Sequence, residues 1–67
     1  MAQYLVVLEV VTKSRGQYTA EQLLACEPSA LPDELGLLKV RFGGRVQDLL
    51  NEEPRVSVRQ IVPLVER

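Results

Sequence analysis

The chain opens on a stretch in which almost every position is apolar. Gln3 to Thr12 reads QYLVVLEVVT. Tyr4, Val6, Leu8 and Val10 fall on one alternating set, and Leu5, Val7 and Val11 on the other, where Glu9 is the one interruption. β-branched and aromatic enrichment at this density predicts a strand over 3–12. A strand apolar on both alternations is covered on both sides, by its own chain or by a partner. The polar run Lys13 to Gln17 follows as a loop, with Gly16 as its turn residue.

The pattern then changes period. Thr19-x-x-Gln22 fits a capping box, in which the Thr oxygen accepts a backbone donor and the Gln side chain reaches back. It predicts a helix over 20–26 that stops before Pro28. Glu27 to Gly36 carries two prolines and a glycine and reads as a loop. Pro32 followed by Asp33 and Glu34 suits the start of a helical turn there.

Leu37 to Phe42 alternates again. Leu38, Val40 and Phe42 point one way and Lys39 and Arg41 the other, which predicts a strand over 37–42. Gly43-Gly44 breaks it. Val46, Leu49 and Leu50 then recur at helical spacing, predicting a helix over 45–53 that ends at Pro54. A hairpin across Gly43-Gly44 competes, but it would set Phe42 against Arg45 and Arg41 against Val46, mixing the faces. Arg55 to Val65 is the last strand. Val56, Val58, Val62 and Leu64 share one alternation, and Ile61 and Val65 make the other apolar near its end. Pro63 cannot donate a ladder hydrogen bond, so this half lies on an edge or at a bulge.

These elements describe one small α+β domain over 1–67. Its three-stranded, mainly antiparallel sheet (3–12, 37–42, 55–65) carries two short helices (20–26, 45–53) on one face.

Composition narrows what such a domain does. Sixty-seven residues hold one domain. There is no His, which removes the commonest general base and the commonest metal ligand. Cys26 is alone, so no internal disulfide forms and zinc has no ligand set. A lone Cys points to a reducing, cytoplasmic setting. The sequence shows no signal-peptide pattern, and the apolar run Tyr4 to Val11 is too short to span a membrane.

Nucleophilic chemistry has little to draw on. Ser14, Ser29, Ser57, Thr12, Thr19 and Cys26 have no His to activate them. Cys26 beside Glu27 reads as a small buried hydrophobe. The acidic pairs Asp33-Glu34 and Glu52-Glu53 read as solvated surface. Gly43-Gly44 lacks the surrounding pattern of a phosphate-binding loop and reads as turn geometry. The sequence therefore predicts no enzyme, no cofactor and no metal.

Two features point to partners instead. Residues 1–38 sum to −3 and residues 39–67 to +2. Lys39, Arg41, Arg55 and Arg59 would line one sheet face if their strands pair, with Arg45 close by. Such a face suits an acidic protein partner. Nucleic acid is the weaker alternative, because no aromatic residue is there to stack on bases. The second feature is the apolar excess of the end strands. Small scaffolds without disulfide or metal are commonly stabilised by oligomerisation. Tyr4, Val6, Leu8, Val10, Ile61 and Val65 are the predicted self-association residues, with a dimer as the first form. The reading is a non-catalytic interaction or assembly module acting as a subunit or adaptor of a larger complex. The alternative is a small dimeric nucleic-acid-binding or regulatory protein using the basic face.

Overall fold

The structure is a computed structural model that describes residues 2–64. It contains three strands and one long helix: β1 (Ala2–Thr12), β2 (Gly16–Cys26), α1 (Leu31–Leu50) and β3 (Arg55–Leu64). A single 3-10 turn, Pro28–Ala30, leads into α1. The sheet order is β2-β1-β3, and both pairings are antiparallel. The expected α+β class, three antiparallel strands and a helical layer are present. The identity of the middle elements differs.

Residues 20–26 are not a helix. They belong to β2, which pairs with β1 over its whole length, from Thr12↔Gly16 to Ala2↔Cys26. Three residues, Lys13 to Arg15, close the hairpin, and Gly16 takes φ 70°, a conformation that only glycine adopts without strain. Thr12 Oγ1 accepts the Arg15 N–H at 3.0 Å and fixes the turn. Once the turn sets this register, Tyr18, Ala20, Gln22, Leu24 and Cys26 share the face of the apolar alternation of β1. Pairing along eleven residues outweighs the local helix preference of Glu21 to Ala25.

Residues 37–42 are not a strand, and the 45–53 helix is the second half of a longer one. α1 starts with Pro32 in its first turn together with Asp33 and Glu34, as the helical turn from Pro32 anticipated. It runs through Gly43-Gly44 and ends at Asn51, whose φ of 54° and ψ of 36° are left-handed. The Asn51 N–H donates to the Gln47 carbonyl at 2.8 Å. Leu31, Leu35, Leu38, Phe42 and Val46 recur every three or four residues, and this period of 3.6 outranks the alternation within LLKVRF. Glycine costs a helix about 1 kcal/mol relative to alanine. Gly43 sits where α1 crosses β3: an added Cβ would lie 3.6 Å from Val56 Cγ2.

The core is one layer between helix and sheet. Val6, Leu8 and Val10 are completely buried, and Tyr4, Cys26, Leu38 and Val46 nearly so. Leu31, Leu35, Phe42, Val56, Val58 and Ile61 pack against the cluster of Tyr4, Val6, Leu8, Cys26 and Leu38. Burial of each large aliphatic side chain contributes about 1.5–3 kcal/mol. The molecule measures 41 × 18 × 15 Å, with a radius of gyration of 12.8 Å. A compact chain of this length has a radius of gyration of about 11 Å. The excess reflects long strands beneath a long helix, with none of the described residues stacked below the sheet.

Candidate interaction surface

The alternation of β1 that α1 does not cover defines the second face of the sheet. It comprises Gln3, Leu5, Val7, Glu9 and Val11, with Gln17 to Ala25 at odd positions of β2 and Arg55, Ser57, Gln60, Val62 and Leu64 of β3. No residue on this face is buried. Leu5, Val7 and Val62 are half-buried, while Leu23 is 75% exposed. These four lie side by side, because Leu5 registers with both Leu23 and Val62. The face is apolar around Leu5 and polar toward the hairpin, where Glu9 registers with Thr19 and Ser57. Arg59 Nη1 lies 3.7 Å from Glu9 Oε2 across this polar part. The segment 27–36 does not fold over the face. It leads into α1 on the opposite side, where Leu31 and Leu35 join the core.

The predicted self-association set lies mostly on the covered side. Tyr4, Val6, Leu8 and Val10 are buried beneath α1, and Ile61 packs against the same core. Val65 lies outside the described residues. The free apolar surface of β1 is therefore the other alternation, Leu5 and Val7, which is equally apolar in the sequence. The signal that separates the two sets is Glu9, since a core facing a helix would not place a carboxylate at the centre of its strand.

The predicted basic face is not brought together. Lys39, Arg41 and Arg45 are on α1, above one side of the sheet, whereas Arg55 and Arg59 project from β3 on the open side. At 100° per residue, Lys39 and Arg41 also fall about 200° apart around the helix. The grouping depended on residues 37–42 being a strand beside β3. With those residues in α1, the five cations divide among separate surfaces.

Both long edges of the sheet are open, and they differ. β3 carries a bulge, where its register with β1 shifts between Val7 and Leu8, and Pro63, which has no N–H to offer. These features blunt an edge. β2 has eleven residues in unbroken register with β1, no proline, and Glu21 as its one charged side chain. The Glu21 carbonyl accepts a hydrogen bond from the neighbouring Gln22 Nε2 at 3.0 Å. An open groove runs between β2 and the end of α1, lined by Arg15, Tyr18, Val46, Leu49 and Leu50. Leu49 is 83% exposed there.

Two titratable groups among the described residues are shifted from their ordinary values. Cys26 is buried, and burial, then Glu34 and Glu27, push its thiol pKa up, away from the reactive thiolate. Glu52 is held below the ordinary carboxylate value, first by the Ser14 N–H, against a smaller opposing effect of burial. Among the described residues, no group of three or more acidic or cysteine side chains is placed to hold a metal. No helix among them is long and apolar enough to cross a membrane. Comparison with protein-family models, with curated proteins and with solved structures returns no match.

Proposed function

We propose that this chain is a non-catalytic assembly module that self-associates through its sheet and acts as a subunit or adaptor of a larger complex. The observation that carries this reading is the uncovered sheet face, where Leu5, Val7, Val62 and Leu23 form an apolar strip with no element of the described residues above it. Sheets that expose such a strip are stabilised when a second surface removes it from water. At about 3.3 Å per residue and 4.8 Å per strand, the face spans roughly 33 × 14 Å. Two such faces packed together cover roughly 900 Å² in total, the size of a weak, concentration-dependent contact. The thin core supports the same reading, since a one-layer domain this small is marginal in isolation. Tyr4, Val6, Leu8 and Val10 hold α1 to the sheet in this scheme, and the open alternation meets the partner.

Light scattering between about 1 and 200 µM tests it. The expected mass is a multiple of 7.5 kDa. Val7→Lys places an ammonium at the centre of the strip, opposite Glu21 and Gln60, and lowers the mass while leaving the circular dichroism spectrum native. A wild-type chain that stays at 7.5 kDa throughout this range overturns the proposal.

A further inference from the structure

We infer that two copies of this chain join edge to edge through β2, around a two-fold axis at Gln22, to form one six-stranded antiparallel sheet. The inference rests on the self-association reading above and adds the contact that sets the symmetry. Its first support is the contrast between the edges. Exposed strands are normally defended by bulges, prolines, inward or basic charges, or short length. β3 has the bulge, Pro63, Arg55 and Arg59. β2 has none of these along eleven residues.

The second support is the free backbone of β2. The Gln22 side chain donates to the Glu21 carbonyl on the outer side of the strand. In a regular strand the neighbouring N–H and C=O groups of one residue point the same way, and alternate residues point oppositely. Thr19, Glu21, Leu23 and Ala25 therefore present their backbone groups outward. The Gln22 amide occupies the place that a partner strand's N–H would take.

The occupant is a second β2, because the strand is complementary to itself with Gln22 on the axis. With Gln22 on the axis, Glu21 and Leu23 exchange backbone hydrogen bonds with Leu23 and Glu21 of the second copy. On the helix side, Leu24 meets Ala20 of the second copy, Tyr18 meets its Cys26, and the two Gln22 amides face one another. An axis at Glu21 would set carboxylate against carboxylate, which is destabilising. An axis at Ala20 would oppose Leu24 to Gly16 and Leu23 to Gln17, losing apolar pairing. Extension also brings the second helix toward the groove at Tyr18 and Leu49, covering the most exposed leucine of α1. A two-fold axis closes the contact, so it does not propagate into a fibre.

Disulfide trapping tests the axis. Residues directly opposite in a non-hydrogen-bonded antiparallel pair have Cα atoms about 4.5 Å apart, within reach of a disulfide. Gln22→Cys in a Cys26→Ala background, given a mild oxidant, is expected to shift from 7.5 to about 15 kDa on a non-reducing gel, and to do so with Val7→Lys added. Hydrogen exchange on the unmodified chain gives a second reading. The N–H groups of Thr19, Glu21 and Leu23 should become protected as concentration rises. If the chain associates by light scattering, but neither the cross-link nor this protection forms, the β2 contact is overturned and the assembly reading stands. If the chain remains at 7.5 kDa, both are overturned.

Discussion

Glu52 Oε1 accepts two hydrogen bonds from one residue, Ser14, whose N–H lies at 3.0 Å and whose Oγ lies at 3.1 Å. Ser14 is the tip of the β1–β2 hairpin, and Glu52 follows the C-terminal end of α1. The contact ties the turn that sets the β2 register to the segment that redirects the chain into β3.

This contact makes stability depend on pH in a defined direction. The folded pKa of Glu52 is depressed, first by the Ser14 N–H and also by its hydroxyl. A carboxyl depressed on folding stabilises fully above its unfolded pKa, and that contribution is lost as pH falls through the folded value. Melting temperature is thus expected to fall below about pH 4.5. Glu52→Gln should lower it at pH 7 and flatten this part of the acid profile. A profile identical for wild type and Glu52→Gln would show that the contact does not stabilise the fold.

The two alternations of β1 should separate in a mutational comparison. Leu8→Ala removes a completely buried side chain and is expected to cost about 2–5 kcal/mol. Val7→Ala, next to it but on the open face, should cost about 1 kcal/mol or less when measured at low concentration. Urea denaturation of both variants checks the assignment. Equal losses would contradict the one-sided core.

Two helix glycines are positions where stability can rise. A Cβ at Gly36 or Gly44 meets nothing within 4 Å. Gly36→Ala and Gly44→Ala are each expected to gain about 0.5–1 kcal/mol, read as a higher melting temperature. Asn51 should respond differently, because its backbone is left-handed. Asn51→Gly should be tolerated, whereas Asn51→Val should lose about 1–2 kcal/mol.

Cys26 should behave as a protected thiol. It is buried, and its pKa is raised by that burial and by Glu34 and Glu27. A thiol-specific chromogenic reagent at pH 7 is expected to react slowly with the folded chain and rapidly after unfolding in urea. Equal rates in both states would place the thiol on an accessible surface.

The first and last strands of the chain are legible in the sequence and the segments between them are not, for identifiable reasons. β1 and β3 are dense in β-branched residues, and little else fits them. Pro63 correctly indicated an edge. Residues 20–26 combine good helix formers with a Thr-x-x-Gln pattern, and only the three-residue turn closed by Gly16 shows that they return along β1. In 37–42, six alternating residues concealed the longer series Leu31, Leu35, Leu38, Phe42 and Val46. Gly43-Gly44 has the look of a break, although tertiary packing carries α1 through both glycines. The state of residues 37–42 also decides the surface. A strand at 37–42 gathers the cations into one face, and a helix there disperses them. The apolar strip was legible as an excess on both sides of β1, but which side stays open depends on where α1 lies.

The central position of β1 also governs how the chain folds. Its two neighbours are unequal in sequence distance: Thr12 meets Gly16 across a tight turn, whereas Val11 meets Arg55 across about 44 residues. Loop-closure entropy rises by about 0.6 kcal/mol per doubling, so the second pairing costs about 2 kcal/mol more to initiate. The hairpin and α1 rest on local contacts, so contact order predicts that the docking of β3 is the slower step. During that interval β1 is bare along one side. A newly made chain is therefore most prone to mispairing before its last strand arrives, when the bulge and Pro63 are not yet in place to blunt that side of the sheet.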